Sequence, residues 1–146
     1  MSVHIRQGKM SATDWIREVV TLSMDTPALV LIAVRLMSLR YSLLALLARL
    51  PQIESIQSVE DTCSALAIMS VTQPRLVVLD VNLLGEDSQA VLQQIKASTA
   101  ETRTVVLVDQ ITQQELLAPS ADLVVLKGYP AAELFNRIEQ LLTQKD

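Results

Sequence analysis

The sequence predicts an α/β domain built on a parallel sheet with helices on both faces. Three observations lead there. Four apolar runs of strand length, Ala28–Ala33 (ALVLIA), Leu76–Leu79 (LVVL), Thr104–Val108 (TVVLV) and Leu123–Leu126 (LVVL), are continuous rather than alternating. Strands covered on both faces read that way. Segments of helix length lie between these runs, and a strand–helix alternation calls for parallel pairing through crossovers. The apolar half of the composition is aliphatic, at 50% hydrophobic but only 3% aromatic.

The elements follow in order. Residues 1–10 carry no pattern. Ser11-Ala12-Thr13-Asp14 offers helix caps, and Trp15, Val19 and Leu22 share one helical face with Ile16 and Val20 beside it. That predicts a helix over 12–24, ended by Asp25-Thr26-Pro27. The chain then divides into an extension, 1–26, and a domain, 27–146. The domain opens on the Ala28–Ala33 strand. A helix over Leu39–Leu50 is stopped by Pro51, and Ile53–Val59 alternates as a second, weaker strand. Glu60–Thr72 is a helix closed by Gln73-Pro74, and Leu76–Leu79 is a third strand ending at Asp80. A helix over Ser88–Ser98 leads to the fourth strand, Thr104–Val108. A short helix, Thr112–Leu117, ends at Pro119, and the fifth strand, Leu123–Leu126, ends at Lys127. Pro130 opens a last helix running to about Thr143, proline being favoured at a first helical position.

Charge and composition exclude several classes. A net charge of −4 leaves no broad basic surface, so nucleic acid is not an expected partner. The longest early apolar run, Ala28 to Val34, is far short of the ~20 residues that cross a bilayer, so no membrane partner is expected. The single cysteine, Cys63, permits no intrachain disulfide, and no leader-like stretch opens the chain; a cytoplasmic location is expected. Glycines at 8, 85 and 128 cannot build a phosphate-cradling loop. His4 is the only histidine and lies in the patternless start, which leaves Ser42, Ser64 and Ser88 without a base. Cys63 and Trp15 read as packing residues.

Three charged residues directly follow apolar strands: Arg35, Asp80 and Lys127. In a parallel sheet the carboxyl ends of the strands form one rim, where ligand chemistry gathers. A carboxylate and two cations converging there form a candidate site.

The segment Pro74–Asp87 (PRLVVLDVNLLGED) resembles the phosphoacceptor region of bacterial response-regulator receiver domains, in which an Asp ends the third strand. Ala121–Pro130 (ADLVVLKGYP) resembles that family's fifth strand with its lysine, and Glu133–Ile138 the helix after it. The resemblance covers about residues 28–142. It implies a flavodoxin-like, three-layer fold with a five-stranded sheet in the order 2-1-3-4-5, here with an extra N-terminal helix. It also implies that Asp80 is the phosphoacceptor-like residue.

The departures fall on the rest of the site. The family's two acidic residues after the first strand, which hold Mg²⁺ with the phosphoacceptor and a backbone carbonyl, correspond to Val34 and Arg35. The carbonyl would be that of Asn82. The family's Ser or Thr at the end of the fourth strand corresponds to Val108, followed by the acidic Asp109, and its aromatic switch residue to Val124. A valine offers Mg²⁺ no oxygen and an arginine repels it. Arg35 and Lys127 flanking Asp80 are expected to form a built-in substitute for the metal.

The implied function is a stand-alone, atypical receiver that signals by protein contact. It is not an enzyme, has no catalytic residue, metal site or cofactor, and has impaired Mg²⁺-dependent phosphorylation. No output domain is expected after Asp146. A signalling protein such as a sensor kinase, and a second copy of the chain, are the expected partners. Two other readings remain: a working phosphoacceptor at Asp80 in a phosphorelay, and a small-molecule-binding α/β domain, against which the missing phosphate loop counts.

Overall fold

Alternating inward and outward residues on five strands build two apolar layers, one on each side of a parallel sheet. A computed structural model describes residues 29–98 and 101–143. The helix expected over 12–24, and the extension to which it belongs, lie outside the described residues. The strands are β1 (Leu29–Ala33), β2 (Ser55–Val59), β3 (Leu76–Asp80), β4 (Arg103–Val108) and β5 (Leu123–Leu126). The helices are α1 (Met37–Leu47), α2 (Thr62–Thr72), α3 (Val81–Leu84), α4 (Ser88–Ser98), α5 (Ile111–Leu117) and α6 (Ala131–Thr143). The sheet order is β2-β1-β3-β4-β5 with every pairing parallel, as expected.

Side chains alternate across a strand, so each strand feeds both layers. Val30, Ile32, Leu76, Val78, Val105 and Leu107 lie under Leu43 and Leu47 of α1 and Leu134 and Ile138 of α6. Leu31, Ala33, Val77, Leu79 and Val106 lie under Ala65 and Met69 of α2, Leu92 and Ile95 of α4, and Leu117 of α5. β3 is buried along its whole length, which is why its sequence is continuously apolar up to Asp80.

Local chemistry sets the helix ends. Asp61 caps α2, its Oδ1 accepting from the Ser64 N–H at 2.7 Å. Gln73 ends that helix with φ 47°, and Pro74 then prevents its continuation. α1 begins at Met37 rather than Leu39 and ends at Leu47, three residues before Leu50. α6 starts at Ala131, one residue after Pro130, whose carbonyl accepts from Leu134 N–H at 2.9 Å. Two elements were not legible in the sequence: the single turn α3 after Asp80, and the 3-10 turn Ala118–Ser120 around Pro119.

The far edge of the sheet is tied through Arg75. Its N–H donates to the Leu29 carbonyl at 3.0 Å and its Nη2 to the Leu142 carbonyl at 2.8 Å. The start of β1 therefore lies beside the C-terminal end of α6. At the opposite edge, β1, β3 and β5 end together. Among the described residues, no helix is long and apolar enough to cross a membrane.

Candidate functional site

Asp80 is the last residue of β3 and also the N-cap of α3. Its Oδ1 accepts from the Asn82 N–H at 3.0 Å and from Lys127 Nζ at 2.8 Å. The carboxylate is thus fixed by a helix cap and by an ammonium, with only 6% of the side chain exposed. A buried carboxylate needs such partners, because desolvation without them is costly.

Lys127 reaches Asp80 because the chain turns sharply just after β5. The Lys127 N–H donates to the Val108 carbonyl at 2.8 Å, which extends the sheet ladder one residue past the strand. Gly128 follows with φ +90°, a conformation side chains resist, and Tyr129 N–H closes the turn on the Leu126 carbonyl at 3.0 Å. The lysine is thereby held at the rim.

A second carboxylate shares Lys127: Asp109 Oδ1 lies 3.0 Å from Nζ. Asp109 follows β4 directly, and the Gln113 side chain accepts from its backbone N–H at 2.9 Å, which fixes the turn into α5. Asn82 also helps to lower the Asp109 pKa. Asp80, Asn82, Asp109 and Lys127 therefore form an open polar ring across the ends of β3, β4 and β5.

Both pKa directions in this ring follow from the pairing. Burial works against the Lys127 charge, but its bonds to Asp80 and Asp109 outweigh burial and hold its pKa above the ordinary 10.5. The Lys127 hydrogen bond holds Asp109 below its ordinary 3.8, against slight desolvation and with help from Asn82. The stabilisation from the raised lysine is complete below 10.5 and is lost as pH rises through the folded pKa. The stabilisation from the depressed Asp109 is present above 3.8 and is lost as pH falls through its folded value. Urea midpoints measured across pH should carry an alkaline fall beyond 10.5 that Lys127→Met abolishes. An unchanged alkaline limb in that variant would remove Lys127 from the ring.

The end of β1 departs from the expected arrangement. Ala33 pairs with Leu79, so Val34 sits next to Asp80 along the rim, but it is fully buried in the α1/α6 layer. Arg35, expected as the second cation on Asp80, is exposed and makes no ion pair with Asp80 among the described residues. Its charge acts instead on Asp61, whose pKa is lowered chiefly by the Ser64 N–H and hydroxyl and least by Arg35. The strand alternation explains this, because Arg35 follows Val34 and must face the other way.

Sequence reasoning passed over the residue that covers this strand end, Arg40. Its Nε donates to the Val34 carbonyl at 3.2 Å and its Nη2 to the Arg35 carbonyl at 3.4 Å, and Nη2 pairs with Glu60 at 3.4 Å. A signal existed: Arg40 stands in the first turn of α1, where the helix dipole disfavours a cation. A basic residue there needs another partner, and the strand-end carbonyls supply it. Val108, at the position of the family's hydroxyl, is fully buried in the α2/α4/α5 layer, as Val124 nearly is. Among the described residues, no three His, Cys, Asp or Glu side chains are grouped so as to hold a metal ion.

No family model matches the chain, and no curated protein matches it. Solved structures do. NtrX from Brucella abortus, in complex with ADP, superimposes with a TM-score of 0.69 at 26% identity, over 80% of this chain and 26% of that one. The chain therefore spans about a quarter of NtrX. The signal receiver domain of a DNA-binding response regulator from Colwellia psychrerythraea gives a TM-score of 0.69 at 20% identity, over 80% of this chain and 98% of that one. A response regulator from Thermotoga maritima gives 0.70 at 17% identity, over 82% and 99%. The sheet order and the crossovers are theirs, and the carboxyl-end rim carries Asp80 against Lys127. In fold the chain matches response-regulator receiver domains, and its rim carries the strand-end pair that the sequence resemblance singled out.

Proposed function

We propose that this receiver works in signal transduction by protein contact, as an atypical member with impaired Mg²⁺-dependent phosphorylation at Asp80. One observation carries the reading: the end of β1 offers a cation no ligand. Val34 is buried among apolar side chains, Arg35 is exposed, and the Arg40 guanidinium covers both carbonyls. Mg²⁺ takes near-octahedral oxygen ligands and gives up its water reluctantly. Among the described residues Asp80, Asp109 and the Asn82 carbonyl are the oxygens left, and both carboxylates are already engaged by Lys127. The residues present do not fit the metal.

Phosphoryl transfer depends on neutralising charge in the transition state. Without the metal, Lys127 is the one cation touching Asp80 among the described residues, and it is shared with Asp109. The functional surface is then the domain's own, and its partner is a signalling protein, with a sensor kinase the first to test.

Incubation with acetyl phosphate and Mg²⁺, followed by intact-mass spectrometry, tests this. The expected result is no phosphoryl adduct. A stoichiometric adduct that disappears in Asp80→Asn would overturn the reading and favour a working phosphoacceptor.

A further inference from the structure

We propose that the groove between α1 and α6 binds a medium-chain aliphatic carboxylate, its head on Arg49 and its chain lying along α1 toward the rim. The groove has a volume of about 440 Å³. That falls within the range of small-molecule sites, roughly 300–1,000 Å³. Leu39, Leu43 and Leu46 of α1 form one wall, Leu134 of α6 the other, and Leu107 and Leu126 line it from the sheet. A contiguous apolar lining open to solvent marks a binding place rather than ordinary surface.

Shape selects a chain over a compact ring. Leu39, Leu43, Leu46 and Arg49 recur every three or four residues, so they follow one side of the helical segment. The rise from Leu39 to Arg49 is about 15 Å. The trough is therefore long for its volume, and its walls are leucine methyls, which conform to a flexible chain. Each methylene buried there tightens binding by up to about fourfold.

Charge selects an anion. The chain carries 16 acidic residues against 12 basic ones, yet no acid lines the groove while Arg49 and Lys127 do. Lys127 is already held between Asp80 and Asp109, at 2.8 and 3.0 Å. Arg49 is not so engaged. Its guanidinium lies over the Phe135 ring, 5.5 Å from the centroid, and makes no ion pair among the described residues. An aromatic face takes the flat of a guanidinium and leaves its edge, a fork of N–H donors, for a carboxylate. Arg49 is exposed, so a bound carboxylate stays wet while its chain is buried, and the cost of desolvating a charge is avoided. Lys127, Gly128 and Tyr129 make the rim end of the groove. The same turn sets Lys127 against Asp80, so an occupied groove bears on the polar ring. None of this depends on whether Asp80 can be phosphorylated.

The test is an NMR titration of decanoate into the isotope-labelled full chain. Expected are saturable amide shifts around Leu39–Arg49 and Lys127–Leu134, with a dissociation constant on the order of 0.1 mM. Butanoate, with the same head and little chain, should not saturate. Decyltrimethylammonium, with the same chain and the opposite charge, should bind several-fold more weakly. Arg49→Met should weaken decanoate about fivefold, the contribution of an exposed charge contact, and should remove its advantage over decyltrimethylammonium. Ala131→Phe, filling an exposed lining position, should weaken both ligands several-fold. Ala45→Phe, also exposed, serves if the first variant folds poorly, with circular dichroism as the folding control. Val71→Phe, exposed on α2 over the opposite layer, should leave the constant unchanged. No saturable shift in the unaltered chain, equal affinity for the two charges, or indifference to both filling variants overturns the proposal. So does an apparent constant that rises with protein concentration, since that assigns the groove to a second copy of the chain.

Discussion

Replacing Lys127 by methionine is expected to cost about 2–3 kcal/mol of unfolding free energy, and the cause is electrostatic. Breaking a buried ion pair from one side typically costs more, ~3–5 kcal/mol, because the remaining charge is left desolvated. Here the lysine is 23% exposed, so water can approach part of the gap, and the lower figure applies. Asp80, 6% exposed, would keep only its Asn82 N–H. For a domain of this size the loss corresponds to a fall of roughly 10 °C in the thermal midpoint.

The companion variant separates charge from packing. Asp80→Asn in the Lys127→Met background removes the stranded charge but keeps an oxygen to cap α3. It should recover at least half of the loss. If the double variant is no more stable than Lys127→Met alone, the buried carboxylate is not what the lysine supports. Asp109→Ala should matter far less, at most about 1 kcal/mol, because the pair is open to solvent and exposed pairs contribute little; the Asp109 side chain is 41% exposed.

The fold was legible because each strand of the interior is covered twice. LVLIA, LVVLD and LVVL leave no polar face to confuse with a helix, and the helices between them end on Pro51, Gln73-Pro74 and Pro119 or close to them. α3 was hidden because four residues carry no period; what creates it is the Asp80 carboxylate acting as its cap. The start of α1 was placed two residues late because Leu36 caps it without a side-chain hydrogen bond, so no polar signal marks the boundary.

The site was legible only in part, for a related reason. Asp80 and Lys127 stand at strand ends, where the backbone dictates position, and they meet at 2.8 Å. Arg35 also stands at a strand end, but the pleat turns it away, and sequence position alone gave it a contact it does not make. Asp109 was legible only as an acid following Val108. The structure adds the reason it can sit at the rim, since Lys127 pairs with it. Arg40 acts through backbone carbonyls, so its one trace in the sequence is a cation in the first turn of a helix.

Rebuilding two carboxylates at the end of β1 should convert this rim into a cation site at a large cost in the metal-free state. Val34→Asp/Arg35→Asp puts an acid at a fully buried position beside Asp80. Losing the valine's burial costs about 1.5 kcal/mol, and an unpaired carboxylate in its place a further ~2–3 kcal/mol. The metal-free variant should therefore unfold at much lower urea than the parent. Mg²⁺ should restore part of this, by about 1.4 kcal/mol at ten times its dissociation constant, while the parent should show no Mg²⁺ effect. Arg35→Asp alone changes an exposed side chain, so its cost should stay within about 0.5 kcal/mol and its Mg²⁺ response should be weak. Arg40 decides how far the rescue goes. Its guanidinium already lies on the Val34 and Arg35 carbonyls, so it will pair with the new acids and compete with the cation. Adding Arg40→Ala should sharpen the Mg²⁺ response while leaving the metal-free form weaker still. Two results would count against this account of the rim. One is a Mg²⁺-dependent rise in the parent's urea midpoint that vanishes in Asp80→Asn, which would mean the rim already holds the cation. The other is a folded double variant whose midpoint ignores Mg²⁺ even with Arg40 removed, which would mean that an acid at position 34 does not share a cation with Asp80.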